Sequence, residues 1–139
     1  MFRNILVPVD LADRKILKKA IEVGVDQARH YGANLTLVSV VGGLQAKVSN
    51  SSENYKKRLA EFAQEISAAH DNIDIKSQIY EAADPSVEVG RYMLKAIEET
   101  SADLIIMATH QPGWFEYIVN SHGGHLASHA PISVFVVRD

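Results

Sequence analysis

Apolar residues along this chain follow two alternating patterns. Short apolar runs at residues 2–9, 35–41 and 103–109 fit strands buried on both faces. The first ends Leu6-Val7-Pro8-Val9-Asp10, and the second stops at Gly42-Gly43. Between them Ile16, Leu17, Ala20, Ile21, Gly24 and Ala28 recur at helical spacing, with Lys18, Lys19, Glu22 and Asp26 on the other side. Asp13 is the expected cap of this helix and Tyr31-Gly32 its stop. Residues 42–52 are small and polar and read as a loop. A second helix follows over 53–70, with Leu59, Phe62, Ala63 and Ile66 on one side. Ile73, Ile75, Ser77 and Ile79 then alternate with Asp74, Lys76, Gln78 and Tyr80, the period of a half-exposed edge strand. Asp84-Pro85 pairs an N-cap with a first-turn proline and opens a third helix, whose expected core face is Val87, Gly90, Met93, Leu94 and Ile97. Residues 110–120 read as a loop, and Ser121 as the cap of a last helix reaching about Ala130. Pro131 introduces a final strand from Ile132 to Val137.

Five strands thus alternate with four helices. This predicts an α/β fold: a single five-stranded parallel sheet with helices on both faces. The polar-faced third strand belongs at an edge, which gives the order 3-2-1-4-5. No repeat or linker interrupts the chain, so residues 1–139 read as one domain. In such a sheet ligands bind beyond the carboxyl ends of the strands, where the winding reverses. Here that point lies between the first and fourth strands, at Pro8-Val9-Asp10 and Met107-Ala108-Thr109-His110. Ser121 at a helix start adds free backbone N–H groups that favour phosphate.

Composition narrows the function. Hydrophobic residues make up 47% and charged residues 22%, as in an ordinary globular protein rather than a disordered one. With no cysteine, disulfides, thiolate metal sites and cysteine nucleophiles are excluded. No apolar run approaches the ~20 residues of a membrane span, and no signal-peptide pattern opens the chain, so a cytoplasmic protein is expected. The net charge of −3 provides no drive towards nucleic acid. It is unevenly placed: residues 1–70 carry +3 and residues 71–139 carry −6. The basic groups Arg14-Lys15, Lys18-Lys19 and Lys56-Lys57-Arg58 read as solvated helix faces.

The chain resembles the universal stress proteins of the UspA type along its whole length. The residues that carry the likeness are Ile5-Leu6-Val7-Pro8-Val9-Asp10, the run from Asp103 to His110, Asn120-Ser121, and the closing segment from Ala130 to Arg138. The resemblance implies a Rossmann-like domain of the adenine nucleotide alpha hydrolase type. It also implies a pocket for ATP or ADP, with Mg2+ accompanying the nucleotide. In that pocket Asp10 meets the adenosine end, Pro8 and Val9 line the wall, and Val40 holds adenine through its backbone. Met107 and Ala108 lie under the ribose, while Gln111, Asn120, Ser121 and His122 surround the phosphates. ATP-binding members are similar in a loop of form Gly-x-x-Gly-x(9)-Gly-Ser/Thr. Its glycines are laid here on Ala108, Gln111 and Asn120, and its hydroxyl on Ser121. Ala108 adds only a methyl, and Asn tolerates positive φ well. Gln111 is the larger departure, because its side chain occupies space a phosphate would need. No Lys or Arg stands between Asp103 and Arg138, so phosphate charge has to be met by backbone groups, by Ser121 and His122, or by Arg14 and Lys15 arriving from the first helix.

Other constellations weigh less. His122, His125 and His129 share a helical face, but no nearby acid orients the rings, and surface histidines are the reading adopted in place of a metal site. Trp114, Phe115 and Tyr117 read as packing over the sheet end. Ser121 lacks the nucleophile elbow, which sets aside a hydrolase. The last strand is apolar on both sides at an expected edge, and the family resemblance implies a homodimer through Ile132 to Val137. The leading expectation is a stress-response regulatory protein that binds ATP or ADP without turning it over. A nucleotide-free interaction module with an unidentified protein partner, and a weak ATPase, are the alternatives.

Overall fold

The computed structural model describes residues 1–42, 52–109 and 132–138, the Ser86 side chain excepted. The strands are β1 (Asn4–Pro8), β2 (Asn34–Val41), β3 (Ile75–Glu81), β4 (Leu104–Ala108) and β5 (Ser133–Val137). A 3-10 turn (Leu11–Asp13) leads into α1 (Arg14–Tyr31), and α2 (Ser52–Ala69) and α3 (Pro85–Thr100) precede β3 and β4. All described pairings are parallel and the order is β3-β2-β1-β4-β5, as the sequence pattern requires. The loop expected after β2, the loop after Thr109 and the helix expected at Ser121 fall mainly or wholly outside the described residues.

Side-chain alternation divides the core into two layers. Ile5, Val7, Leu35, Leu37, Leu104 and Ile106 face α1 and α2. Leu6, Val38, Ile105 and Met107 face α3. β1 and β4 are buried on both sides, which is why they read as unbroken apolar runs. Asp103 fastens the start of β1, its carboxylate accepting the N–H groups of Arg3 (2.9 Å) and Asn4 (3.0 Å).

Four sequence expectations shift. Asp13 makes no side-chain cap; Asp10 does, three residues earlier, because a 3-10 turn is inserted before α1. Ile16 is 38% exposed, on the flank of a buried stripe of Leu17, Ala20, Ile21, Val25 and Ala28. Val87 is 78% exposed. It lies two residues, about 200° of helix rotation, from Val89, where the buried stripe of α3 begins. Tyr80 belongs to the alternation's polar side yet is buried against α3. Its hydroxyl donates to Glu99 (2.8 Å), and its ring packs on Tyr92. Burial and then Glu99 hold its phenol well above the ordinary range.

Two glycines are fixed by geometry. Gly32 ends α1 at φ +63°, a left-handed cap that returns its N–H to Ala28 and Arg29. Gly42, just past β2, lies so close to the β3 side that a Cβ there would clash with the Ala82 carbonyl oxygen. Gly42→Ala is expected to destabilise the fold by about 1–3 kcal/mol in urea unfolding. An unchanged midpoint would mean that the two strand ends separate freely.

Candidate functional site

The carboxyl ends of β1, β2 and β4 form one edge of the sheet. The β1–β4 ladder pairs Ile5 with Leu104 and Leu6 with Ile105, and β1 then continues two residues paired only with β2. Pro8 has no N–H to offer a neighbour. Beyond it, the Val9 N–H turns to the Val38 carbonyl (2.8 Å), while the Thr109 N–H turns to Val137 (3.1 Å). The chain ends on either side of this line hydrogen-bond away from each other. This is where the crossovers change face, the expected place for a ligand.

The structure brings Pro8, Val9, Asp10, Met107 and Ala108 to this edge, with Val40 one strand away. Pro8, Val9, Met107 and Ala108 are buried. Val9 and Ala108 pack in the α1 layer, while Met107 and Val40 pack in the α3 layer. Each therefore serves the core as well as the edge, and Asp10 is the polar side chain carried there by β1. Gln111, Asn120, Ser121 and His122 lie outside the described residues, as do Trp114, His125 and His129.

Asp10 is held by a hydrogen-bonded turn. Its Oδ1 accepts the Ala12 N–H (2.9 Å), and its carbonyl accepts the Asp13 N–H. Ser39 Oγ, buried in β2, donates to the Val9 carbonyl (2.5 Å). Tyr55, from the first turns of α2, accepts the Leu11 N–H (3.0 Å) and donates to Ser39 Oγ (3.4 Å). Burial pushes the Tyr55 phenol up and the Asp10 charge adds to this, while its hydrogen bonds and Arg58 oppose it. Sequence reasoning missed Ser39 and Tyr55. The available signals were a hydroxyl inside a buried strand and a polar-tipped ring one turn before Leu59 on an apolar stripe.

Arg14, one of the alternatives for meeting phosphate charge, is engaged by α2. Its guanidinium lies 4.8 Å over the Phe62 ring, held towards α2. The described residues thus give it an engagement other than the strand edge.

The sheet order defines a doubly wound α/β domain whose winding reverses between β1 and β4. Within that class the chain belongs to the universal stress protein family, whose family model matches residues 1–138. It is similar to universal stress protein UspA from Lactobacillus plantarum, at 24% identity and TM-score 0.64, over 98% of this chain and 97% of that one. It is also similar to the universal stress protein from Archaeoglobus fulgidus in complex with dAMP, at 18% identity and TM-score 0.62, over 96% of each chain. A third is a universal stress protein in complex with cAMP, at 16% identity and TM-score 0.61, over 98% and 97%. At these identities the likeness establishes the fold.

The family's glycine spacing corrects one sequence reading. Nine residues counted from Gln111 place the third glycine on Ser121 and the hydroxyl position on His122. Matching the pair to Asn120-Ser121 requires a spacer one residue shorter.

Tyr55→Phe is expected to cost about 1–3 kcal/mol at neutral pH, because the Leu11 N–H loses its buried acceptor. The phenol's pKa is raised in the folded state. Its contribution is therefore complete below its ordinary value near ~10 and is lost as pH rises through the folded value. The stability gap between wild type and Tyr55→Phe, measured by urea unfolding, should narrow above that pH. A gap that widens would contradict the buried, protonated phenol.

Proposed function

We propose that this protein is a stress-response regulator that binds ATP or ADP at the carboxyl edge between β1 and β4. The observation that carries the reading is the turn at Asp10, fixed by Tyr55 and Ser39 beside the ends of β1 and β4. The dAMP and cAMP complexes of two proteins of the same fold support an adenine nucleotide as ligand. Asp10 takes the adenosine end, using the carboxylate oxygen that Ala12 does not occupy. Pro8, Val9, Val40, Met107 and Ala108 form the apolar wall, and Gln111, Asn120, Ser121 and His122 meet the phosphates. Mg2+ enters with the nucleotide, bound largely through phosphate oxygens and water. Occupancy changes shape or partner affinity, and no turnover is involved.

A second reading, the nucleotide-free interaction module, draws on the exposed edge at β5. This strand pairs with β4 on one side, and Phe135 and Val136 are 42% and 36% exposed. We propose that two copies pair there, across residues 132–137, in either reading. Among the described residues no strand pairs with the other side of β5, which favours a second strand as the occupant.

Calorimetry with Mg-ATP and ADP separates the readings. Binding should appear in wild type, weaken about tenfold or more in Asp10→Ala, and strengthen in Gln111→Gly, which clears the phosphate space. Absence of heat and of thermal shift at millimolar nucleotide would leave the interaction module alone. Release of ADP above a buffer blank would restore the weak ATPase. Phe135→Lys should shift a dimer to monomer in sedimentation, and an unaltered dimer would place the contact elsewhere.

A further inference from the structure

On the face away from α3, a groove of about 350 Å3 runs between α1 and α2. Its apolar lining is Ile21, Phe62, Ile66 and Ala69. The volume falls in the range of small-molecule sites, ~300–1,000 Å3. Arg14, Lys15 and Lys18 line it from α1. Glu22 lies a turn further along α1 than Lys18, and Glu65 and His70 complete the lining from α2. The His70 ring nitrogen Nδ1 is engaged with the Ile66 carbonyl (2.8 Å).

The cations are placed against local preference. The positive end of the α1 dipole lies in its first turn, where carboxylates are favoured and cations are not. That turn holds no acidic residue and opens Arg14-Lys15. Neither these two nor Lys18 forms an ion pair among the described residues. Arg14 is stacked over Phe62 (4.8 Å), so its charge is fixed at the mouth of the apolar floor. A groove lined by Ile21, Phe62, Ile66 and Ala69, with three cations against the two carboxylates of Glu22 and Glu65, complements a molecule with an apolar body and a single anionic head.

We propose that this groove binds a small amphipathic anion, an aliphatic carboxylate with its head at Arg14, Lys15 and Lys18 and its chain along Ile21, Phe62 and Ile66. The site is separate from the β1–β4 edge and does not depend on nucleotide binding there.

The probe is sodium decanoate, titrated as monomer into the full chain and followed by amide NMR and calorimetry. Saturable binding is expected, with shifts confined to residues 14–22 and 62–70. Decanol, with the same chain and no charge, should bind about tenfold more weakly, and the double variant Lys15→Glu, Lys18→Glu should lose about as much for decanoate. Both lysines are exposed, so circular dichroism should show the variant folded. Decyltrimethylammonium should not compete. The proposal is overturned by absence of saturable shifts, by shifts centred elsewhere, or by equal affinity for the cationic analogue. It is equally overturned if the folded double variant retains full affinity, which would mark the groove as an unspecific apolar surface.

Discussion

The parallel sheet dictates everything else in this molecule. Two parallel neighbours cannot be joined by a tight turn, so every connection must cross a sheet face. From β1 the chain moves outward through α1 to β2 and through α2 to β3, with both helices on one face. It then returns across the other face through α3 to β4 on the far side of β1. This reversal leaves the carboxyl ends of β1 and β4 adjacent, with Val9 turned to β2 and Thr109 to β5. That edge is a consequence of the winding, and the residues at its rim need only be suitable once the winding is set.

Suitability at that rim depends on a buried polar chain in an apolar setting. A turn leaving the sheet exposes carbonyl and amide groups that must be satisfied. Here Val9 is satisfied by Ser39, Leu11 by Tyr55, and Ala12 by Asp10 itself. The Tyr55 hydroxyl accepts on one side and donates on the other, so its rotor is fixed by both neighbours. Because Tyr55 comes from α2, the direction of the Asp10 carboxylate is coupled to the seating of that helix. A residue with no place at the ligand edge thereby decides how the edge is presented.

How much of this was legible follows from where the signal lies. The strand order could be read because burial on both faces makes β1 and β4 continuous apolar runs, while the β3 alternation marks an edge. Pro8, Val9, Asp10, Met107 and Ala108 could be placed together because topology alone adjoins them. Tyr80 was misassigned because alternation assumes that the second face meets water, whereas α3 covers it with Tyr92 and Glu99. Val87 was misassigned because it stands at helical spacing with Gly90, Leu94 and Ile97, whereas the packed stripe runs through Val89, Met93 and Ala96. Ser39 and Tyr55 escaped because their partners lie 30 and 44 residues distant, and no local pattern encodes such a contact.

The placement of charge separates the two ends of α1's surroundings. Arg14 was one of several groups considered for phosphate at the sheet edge, but its stacking on Phe62 turns its cation to the groove beside α2. From residue 104 to residue 137 the sequence offers no Lys or Arg. A phosphate held at the β1–β4 edge would therefore rest on neutral donors, backbone N–H groups and hydroxyls, as anions at helix starts and backbone nests commonly do. Such donors recognise an anion by direction and lose strength when one is missing. On the binding proposed above, residue 111 stands at such a position. The same argument explains why a side chain in place of a glycine weighs on affinity through geometry rather than charge.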